Sequence, residues 1–135
     1  IGDNVILANS VQMGGHVEIG DWVIVGGLVA IHQFVKIGKH AMIGGGFRAV
    51  KDVPPYILAG SLPLRFEGIN LVGLRRRGFT NEQIKAISQT YDILYRSGLN
   101  VSDAVVEIEK QMKDNPEAQS ILDFIKESKR GIIRG

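Results

Sequence analysis

The sequence predicts a mainly β protein with a smaller α-helical part: a left-handed parallel β-helix followed by a small helical domain. Two observations support this fold class. The first fifty residues repeat with a period of six, and the hydrophobic period becomes helical after residue 70. We expect the β-helix segment to span residues 1–53, an irregular connection to span 54–70, and the α-helical C-terminal domain to span 71–135.

The six-residue repeat is the strongest signal in the chain. Eight successive blocks each open with an aliphatic residue, namely Ile1, Leu7, Met13, Ile19, Val25, Ile31, Ile37 and Ile43. The second position is glycine in six blocks, and the fifth is valine in six. A block of six makes one short strand and a turn, so three blocks close a triangular coil whose inward residues stack eighteen apart. Eight blocks give just under three coils, and the known coils of this pattern are left-handed, against the usual crossover rule.

Glycine richness by itself has a second explanation, an ordinary all-β domain. The 17 glycines among 135 residues are about twice the average share of about 7%. They are in phase with the aliphatic positions, which favours the repeat. Glycine at the second position is expected because a Cβ there would crowd the corner.

The second half has the start and stop signals of helices. The repeat stops at the paired prolines of Asp52–Tyr56, because proline cannot donate to a strand ladder. A short helical turn is predicted from Asn70 to Arg77, closed by Gly78. A capping box at Thr80–Gln83 begins the next helix, which ends at Ser97–Gly98. A further helix is predicted from about Asn100 or Ser102 to Lys113, and the last has Asn115 as its N-cap and Pro116 as its first residue. These helices would cover the C-terminal end of the β-helix or pack beside it.

Bulk composition excludes several classes of function. A net charge of +2 without a concentrated basic stripe is against nucleic-acid binding. No apolar run approaches the roughly 18 residues of a membrane span, and no signal peptide opens the chain, so we expect a cytoplasmic protein without a membrane span. The repeat begins in register at Ile1 without a cap, so we expect a fragment that further coils precede.

The three histidines are the first candidates for chemistry. His32 occupies a corner position that the other blocks give to glycine or alanine, which suggests a functional reason. His16 follows Gly14–Gly15 and can project towards solvent or a neighbouring subunit, and His40 is expected at the surface. A zinc site is not expected, because the three fall on different block positions and no carboxylate completes a set.

Two other features have alternative explanations. Gly27, Gly45 and Gly46 are not required by the repeat, so their bare strip would suit either a long alkyl chain or a packed neighbouring subunit. Arg75–Arg77 is the one dense basic cluster, which is either a solvated helix face or a phosphate site.

Four motifs together are specific enough to suggest a family. They are Gly14-Gly15-His16-Val17, Ile31-His32-Gln33-Phe34, Asp52-Val53-Pro54-Pro55-Tyr56 and Gly73-Leu74-Arg75-Arg76-Arg77-Gly78-Phe79. With them the chain resembles, over nearly its whole length, the acyl-ACP–UDP-N-acetylglucosamine O-acyltransferases, which catalyse the first step of lipid A biosynthesis. The resemblance implies a homotrimer with active sites in clefts between adjacent β-helices. It also implies transfer of a 3-hydroxyacyl group from acyl carrier protein to the 3-hydroxyl of UDP-N-acetylglucosamine, with no cofactor beyond the carrier thioester.

The resemblance also assigns roles to residues. The general-base histidine of the family lies just upstream of Ile1, so the chain by itself is expected to be inactive. The roles implied are an oxyanion-binding N–H at Gly15, a supporting role for His16, substrate contacts at His32 and Gln33, nucleotide contacts at Asn70, Arg76 and Arg77, and an acyl-chain groove at Gly27 and Gly45. Gly45 would permit a long acyl chain. Val72 departs from members with an acidic residue near the uracil, and Arg48 and Lys51 are candidates to meet acyl carrier protein.

Other functions fit part of the pattern. One is another hexapeptide-repeat acyltransferase, either the UDP-3-O-acylglucosamine N-acyltransferase or an acetyl-CoA-dependent acetyltransferase. Donor choice separates these, and the Arg-Arg-Gly-Phe element favours the O-acyltransferase. A structural β-helix that polymerises end to end is the third possibility, but the C-terminal helices would block one end.

Overall fold

The computed structural model describes residues 1–135 and confirms the predicted fold class, a parallel β-helix of about three turns followed by helices. The strands are β1 Ile6–Leu7, β2 Gln12–Met13, β3 Glu18–Ile19, β4 Ile24–Val25, β5 Ala30–Ile31, β6 Lys36–Ile37, β7 Met42–Ile43, β8 Arg48–Ala49, β9 Ile57–Gly60 and β10 Arg65–Ile69. The helices are α1 Leu71–Arg76, α2 Asn81–Arg96, α3 Val101–Gln111 and α4 Pro116–Glu127. No helix has the length and apolar character that a membrane crossing needs.

The strands form three walls in which parallel neighbours lie eighteen residues apart, except that β7 and β9 lie sixteen residues apart, with Met42 opposite Leu58. Wall A has the order β1-β4-β7-β9-β10, wall B has β2-β5-β8, and wall C has β3-β6. The walls meet at three corners, each built from two-residue turns. Corner AB contains residues 9–10, 27–28 and 45–46; corner BC contains 15–16 and 33–34; and corner CA contains 3–4, 21–22, 39–40 and 55–56.

The core of the β-helix follows the predicted stacking. Ile19 pairs with Ile37, and both are buried, as are Val23 and Val35 at the fifth position. The inward residues of the first coil are less covered, and Ile1 is 73% exposed. The aliphatic and valine positions therefore lie inside wherever a following and a preceding coil enclose them.

The corners explain why glycine takes the second position. A Cβ on Gly14 would lie 2.5 Å from the backbone N of Gln33, and one on Gly26 would lie 2.5 Å from the N of Gly45. The next coil passes too close for any side chain, as expected from the sequence. The fourth position of every block has a positive φ, between 57° at Asn4 and 80° at Gly46. Together with the His32 C=O to Val35 N–H bond of 3.2 Å, this describes type II turns.

The β-helix extends beyond the predicted boundary at residue 53. Val53 bridges to Ile37, the turn at Pro55–Tyr56 repeats corner CA with a φ of 72° at Tyr56, and β9 pairs in parallel with β7. The segment 54–70 is therefore not an irregular connection. It holds the last strand of wall A and β10, which turns back to pair antiparallel with β9. Prolines are tolerated there because they occupy a turn and not the ladder.

The helices of the C-terminal domain begin at the predicted residues, and α2 ends before Ser97 as predicted, but α3 ends at Gln111 and not at Lys113. Thr80 and Gln83 form the reciprocal capping box of α2, and Asn100 and Asn115 cap α3 and α4. The helices share one hydrophobic core with the β-helix. The Tyr91 hydroxyl donates to the carbonyl of Pro55, so α2 packs on the last coil. The helix α4 lies beside wall C, because the two line a common cleft of about 510 Å³.

The C-terminal segment returns to the β-helix, which the sequence did not predict. Asp52 pairs with Ile132, and Arg65 pairs with Arg134. The Asp52 carboxylate is buried and accepts from the Lys36 N–H at 2.8 Å and from the Ser128 hydroxyl at 2.6 Å. This one side chain therefore links wall C to the end of the helical domain.

Candidate functional site

The residues predicted to bind or react lie on three different corners of the β-helix. Corner BC holds Gly15, His16 and Gln33, with His32 just before it; corner AB holds Gly27 and Gly45; and α1, with Asn70, Arg76 and Arg77, lies beside corner CA. Within one chain the structure thus brings the members of each set together but keeps the sets apart. A ligand that touches more than one set has to extend across a wall or lie between two copies of the chain.

At corner BC the left-handed turn directs two aromatic rings outward. His16 and Phe34 hold the same block position eighteen residues apart, and their rings stack in parallel with centroids 4.9 Å apart. Both side chains are exposed, and the turns below them are joined by the Phe34 N–H, which donates to the Gly15 carbonyl at 2.9 Å. The stack fixes the orientation of the His16 imidazole on the outer surface.

Gly15 has a free backbone N–H and an open surface. Its N–H makes no hydrogen bond within the chain, and a Cβ at this position would have no heavy atom within 4 Å. Packing inside the chain therefore does not demand glycine here, unlike at Gly14. An N–H of this kind can donate to a negatively charged oxygen.

His32 and Gln33 are exposed and border a shallow cavity of about 370 Å³ on wall B. The His32 N–H donates to the Ala49 carbonyl at 2.8 Å, so the backbone of the corner is fixed while the ring remains outside. Arg48 lines the same cavity. Lys51, the other candidate for contact with the carrier protein, lies instead by two cavities near the C-terminal segment.

Corner AB presents a bare edge at Gly27, Gly45 and Gly46, beside the exposed side chain of Leu28. A Cβ on Gly27 would make ordinary contact with the Asn9 carbonyl at 3.4 Å, whereas one on Gly45 would approach the Gly27 carbonyl at 3.2 Å. Gly46 has a φ of 80°, so it takes the left-handed turn position. The seven other blocks have a non-glycine residue at this turn position with a similar φ, so the repeat does not require glycine at Gly46, whereas the nearby Gly27 carbonyl is a local reason for glycine at Gly45.

The residues beside corner CA are joined by hydrogen bonds. Asn70 is buried, and its Oδ1 accepts from the Gly73 N–H at 3.3 Å, which caps α1, while its Nδ2 donates to the His40 carbonyl at 3.0 Å. Arg77 follows the last turn of α1, and its guanidinium lies 3.2 Å from Nδ1 of His40 and 5.3 Å from the centroid of the Trp22 ring. Arg76 and Val72, by contrast, are exposed.

His40 is not the surface residue that the sequence suggested. Its ring is half-buried, stacked on Tyr56 at 5.8 Å and against the edge of Phe79 at 4.9 Å. Burial, followed by the positive charges of Arg77 and Lys39, lowers the pKa of His40 to about 4, although Asp21 acts in the opposite direction. The imidazole is therefore neutral at physiological pH. The prediction failed because burial of His40 depends on α1 and Phe79, which are distant in sequence.

None of these side-chain sets has the composition of a metal centre. No three His, Asp or Glu side chains lie close enough together to hold an ion. Corner BC has an unpaired N–H beside an imidazole, and corner AB has an edge without side chains. Corner CA has a guanidinium oriented by His40, next to the capped helix α1. These are groups suited to an acyl ester, an alkyl chain and a phosphate.

A parallel β-helix with such corners and a helical C-terminal domain is the architecture of a hexapeptide-repeat protein. The sequence profile described as UDP-N-acetylglucosamine O-acyltransferase, domain 2, matches residues 52–133. The chain belongs to the UDP-N-acetylglucosamine O-acyltransferase family.

Known proteins of this family match the chain in sequence and in structure over nearly its whole length. The acyl-[acyl-carrier-protein]–UDP-N-acetylglucosamine O-acyltransferase of Burkholderia orbicola (strain MC0-3) is 43% identical over 99% of this chain and 53% of its own length. The crystal structure of LpxA, a UDP-N-acetylglucosamine acyltransferase from Bacteroides fragilis 9343, is 49% identical with a TM-score of 0.94 over 97% of this chain and 51% of its own. The Francisella novicida UDP-N-acetylglucosamine acyltransferase is 40% identical with a TM-score of 0.95 over 100% of this chain and 50% of its own. The chain spans about half the length of these relatives.

Proposed function

We propose that this chain forms part of an acyltransferase that moves a 3-hydroxyacyl group from acyl carrier protein to the 3-hydroxyl of UDP-N-acetylglucosamine. The observation that carries the proposal is the free N–H of Gly15 beside the oriented imidazole of His16, in a chain whose relatives bear that name. A group that binds an oxyanion is what acyl transfer requires and what nucleotide binding alone does not.

The chemistry assigned to corner BC is an acyl transfer between a thioester and an alcohol. The sugar hydroxyl oxygen attacks the thioester carbonyl carbon while a general base takes its proton. The Gly15 N–H donates to the oxygen that becomes negative. Collapse of the intermediate breaks the carbon–sulfur bond and forms the sugar ester, and the carrier thiolate leaves with the proton that the base returns. His16 lies beside Gly15 and orients the sugar or acyl group.

The other two corners hold the ends of the substrates. The bare edge at Gly27 and Gly45 receives the acyl chain, because an alkyl chain needs a surface without projecting side chains. Arg76 and Arg77 meet the diphosphate, since guanidinium groups match phosphate oxygens. Asn70 meets the nucleotide through the second N–H of its amide, which the helix cap and His40 leave unused.

The proposed oxyanion, acyl-chain and diphosphate groups lie on three different corners of one chain, and this separation supports a trimer. Copies related by a threefold axis bring one corner of each chain against a different corner of the next, so each cleft combines groups that no single chain brings together. We propose a homotrimer with a substrate cleft between adjacent β-helices, and acyl carrier protein as the donor's carrier.

The general base is proposed to come from residues that precede Ile1. The chain spans about half of the relatives' length, and its first coil leaves Ile1, Leu7 and Met13 exposed at 73%, 37% and 40%. Such an apolar coil end is a surface on which another coil can stack. Residues 1–135 alone are expected to be inactive.

The proposal is tested on a joined protein, made by fusing this chain at Ile1, in hexapeptide register, to the N-terminal half of the Bacteroides fragilis relative. The protein is offered 3-hydroxyacyl carrier protein or the matching coenzyme A thioester, with UDP-N-acetylglucosamine or its 3-O-acylated 2-amino derivative as acceptor. We expect an ester product from the carrier-protein donor and UDP-N-acetylglucosamine. Amide formation on the amino sugar, or equal use of coenzyme A, would favour the other hexapeptide-repeat acyltransferases instead.

A further inference from the structure

We propose that His40 is a positioning residue, which holds Asn70 and Arg77 in the arrangement that binds the nucleotide diphosphate. The inference rests on the proposed function, because it needs a nucleotide beside α1. His40 itself lies at corner CA and touches both side chains without being expected to touch the substrate.

Both ends of α1 are attached to this one residue. At the N-terminal end Asn70 donates to the His40 carbonyl at 3.0 Å, and at the C-terminal end Arg77 lies 3.2 Å from the His40 Nδ1. The backbone of His40 is fixed in turn, because its N–H donates to the Asp21 carbonyl at 2.8 Å. The rigid β-helix thereby sets the position of a helix of only six residues.

The direction of the Arg77 bond defines the state of the imidazole. A guanidinium can only donate, so Nδ1 of His40 carries no proton and the ring is the neutral Nε2–H tautomer. Protonation would remove the acceptor and place two positive charges together. The ring is held in place by stacking on Tyr56 and contact with Phe79.

The contact leaves most of Arg77 available. One donor is used by His40, and one face lies over the Trp22 ring at 5.3 Å. The remaining N–H groups can form a forked pair with phosphate oxygens, and the guanidinium loses less conformational freedom on binding because it is already oriented. Arg76 has no such support, since its side chain is exposed and its guanidinium makes no hydrogen bond or ion pair within the chain.

Gly73 is part of the same arrangement. A Cβ there would lie 2.6 Å from Nδ2 of Asn70 and 3.0 Å from the guanidinium nitrogen NH1 of Arg77. The absence of a side chain in α1 lets both polar groups reach His40 past the helix. A substitution at Gly73 therefore disturbs both contacts at once, whereas a change of the His40 ring disturbs only that of Arg77.

The test compares nucleotide affinity in matched variants of the joined protein. Trp22 is the only tryptophan of this chain and lies under Arg77, so the fluorescence change on adding UDP or uridine can be followed after any tryptophan of the added half is replaced. His40→Phe keeps a ring but lacks the acceptor, and the chain already has phenylalanine in this turn position at Phe34, with a φ of 65°. His40→Asn keeps an acceptor and suits the positive φ.

We expect His40→Phe to weaken UDP binding by at least about tenfold, as for a lost charge-assisted contact, and to change uridine binding by less than about threefold. His40→Asn should recover most of the UDP affinity, and Gly73→Ala should weaken both ligands. Thermal unfolding checks that each variant is folded. Equal UDP affinity in the parent and His40→Phe, or a His40→Asn variant as weak as His40→Phe, would overturn the inference while the proposed function stands. If the folded joined protein without substitutions does not bind UDP, both the inference and the proposed function are overturned.

Discussion

Replacement of Gly15 by proline removes one hydrogen-bond donor and little else. Gly15 is the second residue of a type II turn, the position where proline is common, and its N–H has no partner within the chain. Pro55 already occupies the equivalent position of corner CA, before Tyr56 with its φ of 72°. The turn at Gly15 can therefore accommodate a proline ring without the loss of a backbone hydrogen bond.

The expected effect on catalysis is large. If the Gly15 N–H donates to the oxyanion, its loss should lower kcat by about 10² to 10³, or about 2.7–4 kcal/mol of transition-state stabilisation. The effect on folding should be small, within about 0.5 kcal/mol, because surface changes that break no contact are close to neutral. Gly15→Ala keeps the N–H and isolates any steric effect of the added carbon, which has open space inside the chain.

The assay is acyl transfer by the joined protein at saturating donor and acceptor, with thermal unfolding measured in parallel. Asn9→Pro is the matched control, because Asn9 holds the same turn position at corner AB and its N–H is also unpaired. It should retain kcat within about threefold, since no oxyanion is assigned there. A folded Gly15→Pro protein with the kcat of the Asn9→Pro control would refute the assignment of Gly15.

Three further outcomes follow from the structure. Gly45→Met, tested on the joined protein with donors of graded length, should shift preference to shorter acyl chains because it fills the bare edge beside Gly27; an unchanged profile would contradict the groove. Asp52→Ala should lower the free energy of unfolding by about 1–3 kcal/mol in urea titrations, because it leaves two partly buried donors unpaired, whereas Asp52→Asn should cost less than about 1 kcal/mol. NMR titration of His40 should give a pKa of about 4, below the ordinary 6.5. The neutral His40 contributes fully to the free energy of unfolding above about pH 6.5. This contribution is lost as the pH falls to about 4, because the histidine of the unfolded chain, with its ordinary pKa, binds the proton first.

Local patterns in the sequence predicted most of the fold. The period of six located the inward residues, and capping residues located the starts of the last three helices, because each signal acts over a few neighbouring residues. The return of Ile132 to Asp52 was missed, since it joins residues 80 positions apart. The pairing of β9 with β10 is local, with Gly60 opposite Arg65, and was missed because Gly60, Pro63 and Gly68 suggested an irregular segment. No local period in the sequence indicates a pairing as distant as that of Asp52 with Ile132.

The candidate site was predictable only where the turn geometry is repeated. The outward direction of His16 follows from its block position, which also gives its stack with Phe34. The burial of His40 and its bond to Arg77 depend on where α1 docks, and the sequence around His40 contains no sign of it. Roles at Gly15 and Gly45 came from the family resemblance, and the structure adds only that the chain leaves the Gly15 N–H free.

The most direct test of the account compares acyl transfer to UDP-N-acetylglucosamine by residues 1–135 alone and by the joined protein. We predict a 3-O-(3-hydroxyacyl) ester from the joined protein and none from the chain alone. A folded joined protein without activity, beside an active Bacteroides fragilis relative, would contradict the proposed function. Transfer by residues 1–135 alone would contradict an upstream base, and His16 would then be the first residue to replace.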